Sequence, residues 1–201
     1  MKVATIITYN DFPLIKDCIE SLINKVDKII CIDGRYTDFP DADGDYSTDG
    51  TLEYLKDKAS VTLIGGFTEV AKRNTYLLQL NEGDTVLNLD SDEVLVGELP
   101  ELKADFGVLD LWDGCSKHIQ KRATRFFKYR EGMEYRYCHY TLYYNDQIIN
   151  KLQKVINPDF TFENIEGMHI IHNWHFRTDE RKYYKEQYYK TLIQKEAKFN
   201  K

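Results

Sequence analysis

The chain has 201 residues, of which 42% are hydrophobic and 30% charged, and its formal net charge is −6. That length holds one sizeable core and is short for two, and no apolar run approaches the ~20 residues needed to cross a bilayer. The acidic balance argues against a nucleic-acid duplex as partner.

The opening residues, MKVATIITYN, lack the basic segment, long apolar stretch and cleavage site of a signal peptide. Cys18, Cys31, Cys115 and Cys138 are scattered without CxxC spacing. They suit neither a zinc site nor a disulfide framework and fit a reducing, cytoplasmic setting.

In chain order, Val3 to Thr8 is a β-branched run and reads as a buried strand. Asp11 is placed to cap a helix with Pro13 in its first turn, and Leu14, Cys18 and Leu22, widened by Ile15, Ile19 and Ile23, give that helix one apolar face. Lys28 to Ile32 is a second strand ending on Asp33, followed by a polar, Asp- and Gly-rich loop. Thr51 to Asp57 reads as a short helix and Val61 to Ile64 as a third strand. Thr68 is placed to cap a helix running to Leu80, with Val70, Leu77 and Leu78 as core contacts. Val86 to Leu89 is a fourth strand. Strands alternating with helices predict a parallel sheet whose ligands sit beyond the carboxyl ends of its strands. Tyr9, Asn10, Asp33, Gly65 and Asp90 all follow strand ends and are expected along that edge.

The second half predicts strands over Phe106 to Trp112, Arg125 to Tyr129, Tyr135 to Tyr144 and Gly167 to Trp174. Asn145 and Asp146 form a turn into a further strand, Gln147 to Leu152. The segment Asp179 to Lys198 reads as a helix with Tyr184, Tyr188 and Leu192 on one face. With no repeat and no linker rich in Pro, Gly or Ser, one domain over residues 1–201 is expected, its two differently patterned halves meeting at residue 95.

The stretch VLNLDSDEVL ends an apolar run on Asp90, Asp92 and Glu93. Close like charges repel unless a cation stands among them. Carboxylates spaced Asp-x-Asp at a strand end can address one divalent ion, and their hard oxygens suit Mg²⁺ or Mn²⁺.

Four segments in order carry a resemblance: ATIITYN at 4–10, IICIDGRYTDFPDADGDYSTDGT at 29–51, AKRN at 71–74 and LNLDSDEVL at 87–95. Together they resemble a family 2 glycosyltransferase of the GT-A fold, with an insertion in the loop after the second strand. RFFKYREGMEYRYCHY at 125–140 and IIHNWHFR at 170–177 match more loosely, and His139 is followed by Tyr140 where some relatives carry glutamate.

The resemblance implies an α/β fold with a mostly parallel central sheet and a more antiparallel C-terminal half, residues 1–95 being the nucleotide-sugar-binding half and residues 96–201 the acceptor half with the C-terminal helix. It implies transfer of a sugar from a nucleoside diphosphate sugar, UDP-sugar favoured, to the hydroxyl of a carbohydrate, glycolipid or glycoprotein. It places Tyr9 near the nucleobase with Asn10 beside it, Asp33 on base or ribose, and Arg73 on base or phosphate. Asp90 faces the ribose or the metal, and Asp92 the metal on the diphosphate. His172 completes the metal shell, with His175 as the fallback, and Arg177 reaches a phosphate. An inverting transfer needs a carboxylate to take the acceptor proton. Asp146 is the first choice and Asp113 the second, although Asn145-Asp146 also reads as a plain hairpin turn.

Alternatives stay open. Asp41 to Asp45 resembles part of a calcium loop, but the twelfth position counted from Asp41 is Leu52, not Glu. The basic C-terminal helix packs on the domain or makes transient contact with an anionic membrane carrying a lipid-linked acceptor. A phosphatase of the haloacid dehalogenase type has its DxD on the first strand and continues to Thr. A nucleotidyltransferase has a Gly-rich loop after the first strand, where Thr8-Tyr9-Asn10 stands here. A nucleotide-sugar-binding or interaction module without catalysis is the non-enzymatic alternative.

Overall fold

A computed structural model describes the chain apart from residues 38, 40–43, 66–67, 138–140, 152–153 and 200–201, and the side chains of residues 137 and 193–199. Residues 41–43 of the calcium-like segment and the His139-Tyr140 pair lie outside the described residues.

The first half alternates as its periodicity predicts. Strand β1 (Lys2–Thr8) leads to helix α1 (Leu14–Glu20), β2 (Lys28–Asp33), α2 (Thr51–Lys58), β3 (Val61–Ile64), α3 (Glu69–Leu77) and β4 (Thr85–Asp90). β1 pairs in parallel with both β2 and β4, and β2 with β3. Its side chains alternate between two cores, as the two-residue period of a strand requires. Ala4 and Ile6 pack with Ile15, Cys18, Ile19 and Leu22 of the α1 region, whereas Val3 and Ile7 pack with Tyr76 and Leu77 of α3. Covering on both faces is why these strands read as continuous apolar runs.

The second half completes the sheet. After β5 (Glu93–Val96) come β6 (Phe106–Asp113), β7 (Ile119–Lys128), β8 (Glu134–Tyr137), β9 (Thr141–Tyr144), β10 (Gln147–Lys151), β11 (Lys154–Val155) and β12 (Phe162–His172), then helix α4 (Asp179–Phe199). The large sheet has the order β3-β2-β1-β4-β7-β6-β12-β5, and a small antiparallel sheet the order β11-β10-β9-β8. Since β7 is antiparallel to both β4 and β6, and β12 is parallel to β6, the strands β1 to β4, β6 and β12 all point the same way. Their carboxyl ends share one edge. The α/β arrangement implied by the resemblance, mostly parallel at the centre and more antiparallel towards the C-terminus, is therefore present.

Several expectations are corrected. β5 was not foreseen: Ser91 and Asp92 form a tight connection, after which the chain turns back and pairs antiparallel with β12. Asp11 does not cap α1, whose N-cap is Pro13 without a side-chain bond; the Asp11 carboxylate turns towards the sheet edge instead. Thr68 does cap α3, accepting from the Ala71 amide at 3.0 Å, but the helix stops at Leu77. Leu78 is 81% exposed, and the buried face of α3 is Glu69, Lys72, Arg73, Tyr76 and Leu77. The span foreseen over Tyr135 to Tyr144 is two strands, β8 and β9. No described helix is long and apolar enough to cross a membrane.

The end of β5 depends on a glycine. Gly97 has φ +91°, and a Cβ there would meet the Gly167 carbonyl where β12 changes register. Gly97→Ala is therefore expected to destabilise by more than about 1 kcal/mol, lowering the melting temperature by at least ~2 °C. Thermal unfolding followed by circular dichroism measures it.

Candidate active site

At the carboxyl end of β4, Asp90 accepts from Arg73 of α3 at 3.2 Å and lies 3.5 Å from Arg125 of β7. Arg125 also binds the buried Glu93 at 2.8 Å, and Glu93 accepts from the Asp90 amide at 2.8 Å. Arg73 further holds Glu69 at 3.0 Å and Asn88 at 3.0 Å. On the other side of the turn, Asp92 binds Arg177 at 2.9 Å, and the same guanidinium reaches Asp11 at 3.2 Å. Asp11 also accepts from the Ser91 hydroxyl at 2.5 Å. The cations among the crowded acids thus include Arg73, Arg125 and Arg177 of the chain itself.

Burial alone would raise the Asp92 carboxyl; Arg177, then Lys185 and His172, overcome it and hold the group well below the usual carboxylate range. Asp90 is likewise held low against burial, chiefly by Arg125 and Arg73, and Asp11 is lowered by Arg177, Arg181 and Lys185. Glu93 goes the other way: burial and the nearby Asp90 charge raise it despite Arg125.

A cavity of about 440 Å³ opens over this edge, a size suited to a small ligand. Asp11, Glu69, Asp90, Glu93, Arg73, Arg125 and Arg177 contribute to its floor, Lys121 of β7 and His172 to one wall, and Arg181, Lys185, Tyr188 and Tyr189 of α4 cover it. The three clustered histidines separate by role. His169 packs on Trp112, with ring centroids 4.8 Å apart. His172 faces the cavity, and His175 binds Asp113 at 2.7 Å.

Asp92 and His172 are brought together, His172 Nε2 lying 3.4 Å from Asp92 Oδ2. His172 Nδ1 lies 3.4 Å from Gln120 Oε1; a proton on Nδ1, donated there, leaves Nε2 as the ligating nitrogen. Asp92 Oδ1 is buried with no hydrogen-bond partner. A carboxylate and an imidazole with an unused oxygen fit a divalent ion that takes its remaining ligands from a diphosphate and water. Asp90, by contrast, is engaged by Arg73 and Arg125, and no group of three metal-ligating side chains gathers among the described residues.

Other predicted residues stand elsewhere. Tyr9 and Asp33 are 0% exposed and do not line the cavity. Asp33 accepts from the Ser47 amide at 2.8 Å and its hydroxyl at 2.5 Å, and burial, ahead of these bonds, leaves its carboxyl raised. Asn10 is tied to the same loop, its amide donating to the Ser47 hydroxyl and its side chain accepting from Thr48. Asp146 is not brought to the site: it sits in the β9–β10 turn at φ +61°, 85% exposed and paired with Arg136. Asp113 ends β6 opposite His172 in register and accepts from Ser116, Cys115, Gln120 and His175. The Ser116 amide first, and then His175, hold it far below the usual carboxylate range, which weakens it as a base.

Sequence reasoning missed Lys72, Arg125 and the cavity face of α4. Lys72 Nζ donates to Thr8 O at 2.8 Å and to the Gly34 carbonyl, and burial, against Asp33 and Asp11, lowers it to about 7. Its position in AKRN, directly before Arg73, was the available signal. Arg125 had none, because its partners lie 32 and 35 residues away.

Removing Arg177 leaves Asp11 and Asp92 buried and uncompensated, so Arg177→Met is expected to cost about 3–5 kcal/mol, measurable by urea unfolding. The depressed pKa values of Asp11, Asp90 and Asp92 stabilise the fold fully above the ordinary carboxylate value near 4, and that stability is lost as pH falls towards their folded values. Glu93, being raised, opposes this weakly. Melting temperature is expected to fall from pH 5 to pH 2, and to fall less steeply in Arg177→Met.

No family model and no curated protein matches the chain. Among solved structures, S. aureus TarS aligns with 60% of this chain and 23% of its own, at 23% identity and a TM-score of 0.42. S. aureus TarS 1-349 aligns with 60% of this chain and 39% of that one, at 22% identity and 0.43. The same TarS segment in complex with UDP-GlcNAc aligns with 60% and 37%, at 22% identity and 0.43. The chain spans less than half of each TarS chain it matches, and the likeness is a partial one in fold.

Proposed function

We propose that the protein is a glycosyltransferase that moves a sugar, a hexose in the first instance, from a nucleoside diphosphate sugar to an acceptor hydroxyl. The observation that carries the reading is the pairing of buried Asp92 with His172, which lines a cavity where Asp11, Glu69, Asp90 and Glu93 are each matched by a buried arginine. Such a floor keeps the negative charge local and compensated, so that a polyanionic ligand meets Lys121, Lys185 and Arg125 rather than bare carboxylates. Asp92 and His172 would hold a Mg²⁺ or Mn²⁺ ion, which supplies Lewis-acid stabilisation of the leaving diphosphate. Arg73 and Arg125 fix Asp90, and Arg177 fixes the turn that carries Asp92, so neither carboxylate has to reorganise as the leaving group gains charge. Lys185 of α4, whose charge reaches Asp11, Asp90 and Asp92, is placed to follow the diphosphate.

For the acceptor proton, the Asp113–His175 pair beside Trp174 of the cavity wall replaces Asp146 as the best-supported base. With Nε2–H donated to Asp113, Nδ1 is the proton acceptor. The second reading, a nucleotide-sugar-binding module without transfer, has one observation in its favour. Asp11, Glu69, Asp90, Glu93 and Glu186, the carboxylates of the cavity lining, are all ion-paired.

With Mn²⁺ and a panel of nucleoside diphosphate sugars, slow donor hydrolysis is expected for one sugar nucleotide and should stop in EDTA. His172→Ala, exposed enough to fold, and Asp92→Asn should each lower the rate on the order of 100-fold. Binding without turnover on any acceptor or water would favour the module; no binding of any sugar nucleotide by folded protein would overturn both readings. His175→Asn is expected to lower kcat by roughly 100-fold while leaving donor affinity unchanged.

A further inference from the structure

The residues that the family pattern assigns to the nucleobase are closed off from the cavity. The Tyr9 ring is covered, its hydroxyl donates to the Gly44 carbonyl at 3.2 Å, and Arg181 binds its carbonyl. Both Asp33 oxygens accept from Ser47. Neither residue contributes to the cavity lining.

What does line the cavity over the ends of β1 and β2 is aromatic. Tyr36 and Phe39 come from the loop after β2, and Tyr188 comes from α4. Their ring centroids lie 5.6 Å apart for Tyr36–Tyr188, 5.4 Å for Phe39–Tyr188 and 6.2 Å for Tyr36–Phe39. Two cations brace the group. Lys72 Nζ, anchored on the carbonyls of Thr8 and Gly34, stands 3.8 Å from the Tyr36 centroid, and Arg181 stands 4.5 Å from that of Phe39. A cation held on an aromatic face fixes the ring; here it leaves the cluster one wall of the cavity to present to a ligand.

Two of the cavity's cations are displaced along the sheet edge, while Arg181, Lys182 and Lys185 come from α4 with Tyr188. Lys121 and Arg125 belong to β7, two strands beyond β1 and three beyond β2 in the order β2-β1-β4-β7. At the usual strand spacing that is roughly 10–14 Å. An aromatic wall and the β7 cations so separated suit the planar ring at one end of a nucleoside diphosphate and the phosphates at the other.

Resting on the sugar-nucleotide reading above, we propose that the nucleobase stacks on the wall formed by Tyr36, Phe39 and Tyr188 rather than binding to Tyr9 and Asp33, so that α4 is a component of the donor site. Every base has a π face, and stacking on tyrosine and phenylalanine discriminates weakly among bases. A buried carboxylate reading the imide N–H of uracil would instead reject bases that lack it by orders of magnitude.

Calorimetric titration in Mn²⁺ separates the two, using UDP, CDP (whose ring N3 carries no hydrogen) and inorganic pyrophosphate. Wild-type affinities for UDP and CDP are expected within about tenfold of each other. Tyr36→Ala and Tyr188→Ala should each weaken both nucleotides by about tenfold and leave pyrophosphate unchanged, whereas Tyr188→Phe should bind as wild type. Since Asp33→Asn risks the Ser47 loop, wild-type base selectivity serves as the independent measurement. A preference for UDP over CDP beyond about 1,000-fold, or nucleotide binding unaffected by either alanine variant, overturns the aromatic wall and leaves the transferase reading standing. Binding of pyrophosphate but of no nucleotide overturns both.

Discussion

The structure turns on the pairing of buried carboxylates with buried guanidiniums at the carboxyl edge of the sheet. Asp90, Asp92 and Glu93 stand together on one strand end, an arrangement that low polarity makes untenable without compensation. Arg73 arrives from α3, Arg125 from β7 and Arg177 from the segment after β12. Three distant stretches are thereby fastened to one short turn, and the open edge of a parallel sheet becomes a rigid floor. Each carboxylate is set in one orientation because the guanidinium fork that holds it is itself divided between two acids.

That network explains why the site has two characters. Where an arginine saturates an acid, as at Asp90, the group is structural, and its function is to keep its neighbours in place. Where an oxygen is left over, as at Asp92 Oδ1, the carboxylate keeps an unused acceptor. The distinction rests on hydrogen-bond satisfaction and not on residue type, since both positions are aspartates two residues apart.

For the same reason the sequence could be read so far and no further. The order of the first four strands, their parallel pairing and the edge that carries the site follow from periodicity and strand ends, which are local. The family pattern pointed to Arg73 and His172, which line the cavity, and to Asp92, which pairs with His172. What escaped was non-local. Asp11 reads as a helix cap until Arg177 is seen across from it, and Glu93 reads as the start of a loop until β12 supplies a partner strand. Asp146 reads as a carboxylate at the end of an aromatic strand, but its hairpin belongs to the small sheet, away from the cavity. Tyr9 and Asp33 follow strand ends as expected, yet the loop folded over them through Ser47 has removed them from the surface.

The position of β12 has a consequence for the way the molecule is made. β5 has only β12 beside it in the sheet, and β12 reaches the large sheet's main body through β6. Chains emerge from the ribosome amino end first, at about 5–20 residues per second. The parallel half can begin to assemble early, but the acidic turn between β4 and β5 stays without its opposing strand and without Arg177 until residues 162–177 have appeared. During that interval the nascent protein carries an exposed strand edge, and Asp11 and Asp92 lack their guanidinium. β12 and the stretch carrying Arg177 therefore act as the latch of the fold, and a ribosome stalled before them would hold a sheet whose acidic turn is not yet closed.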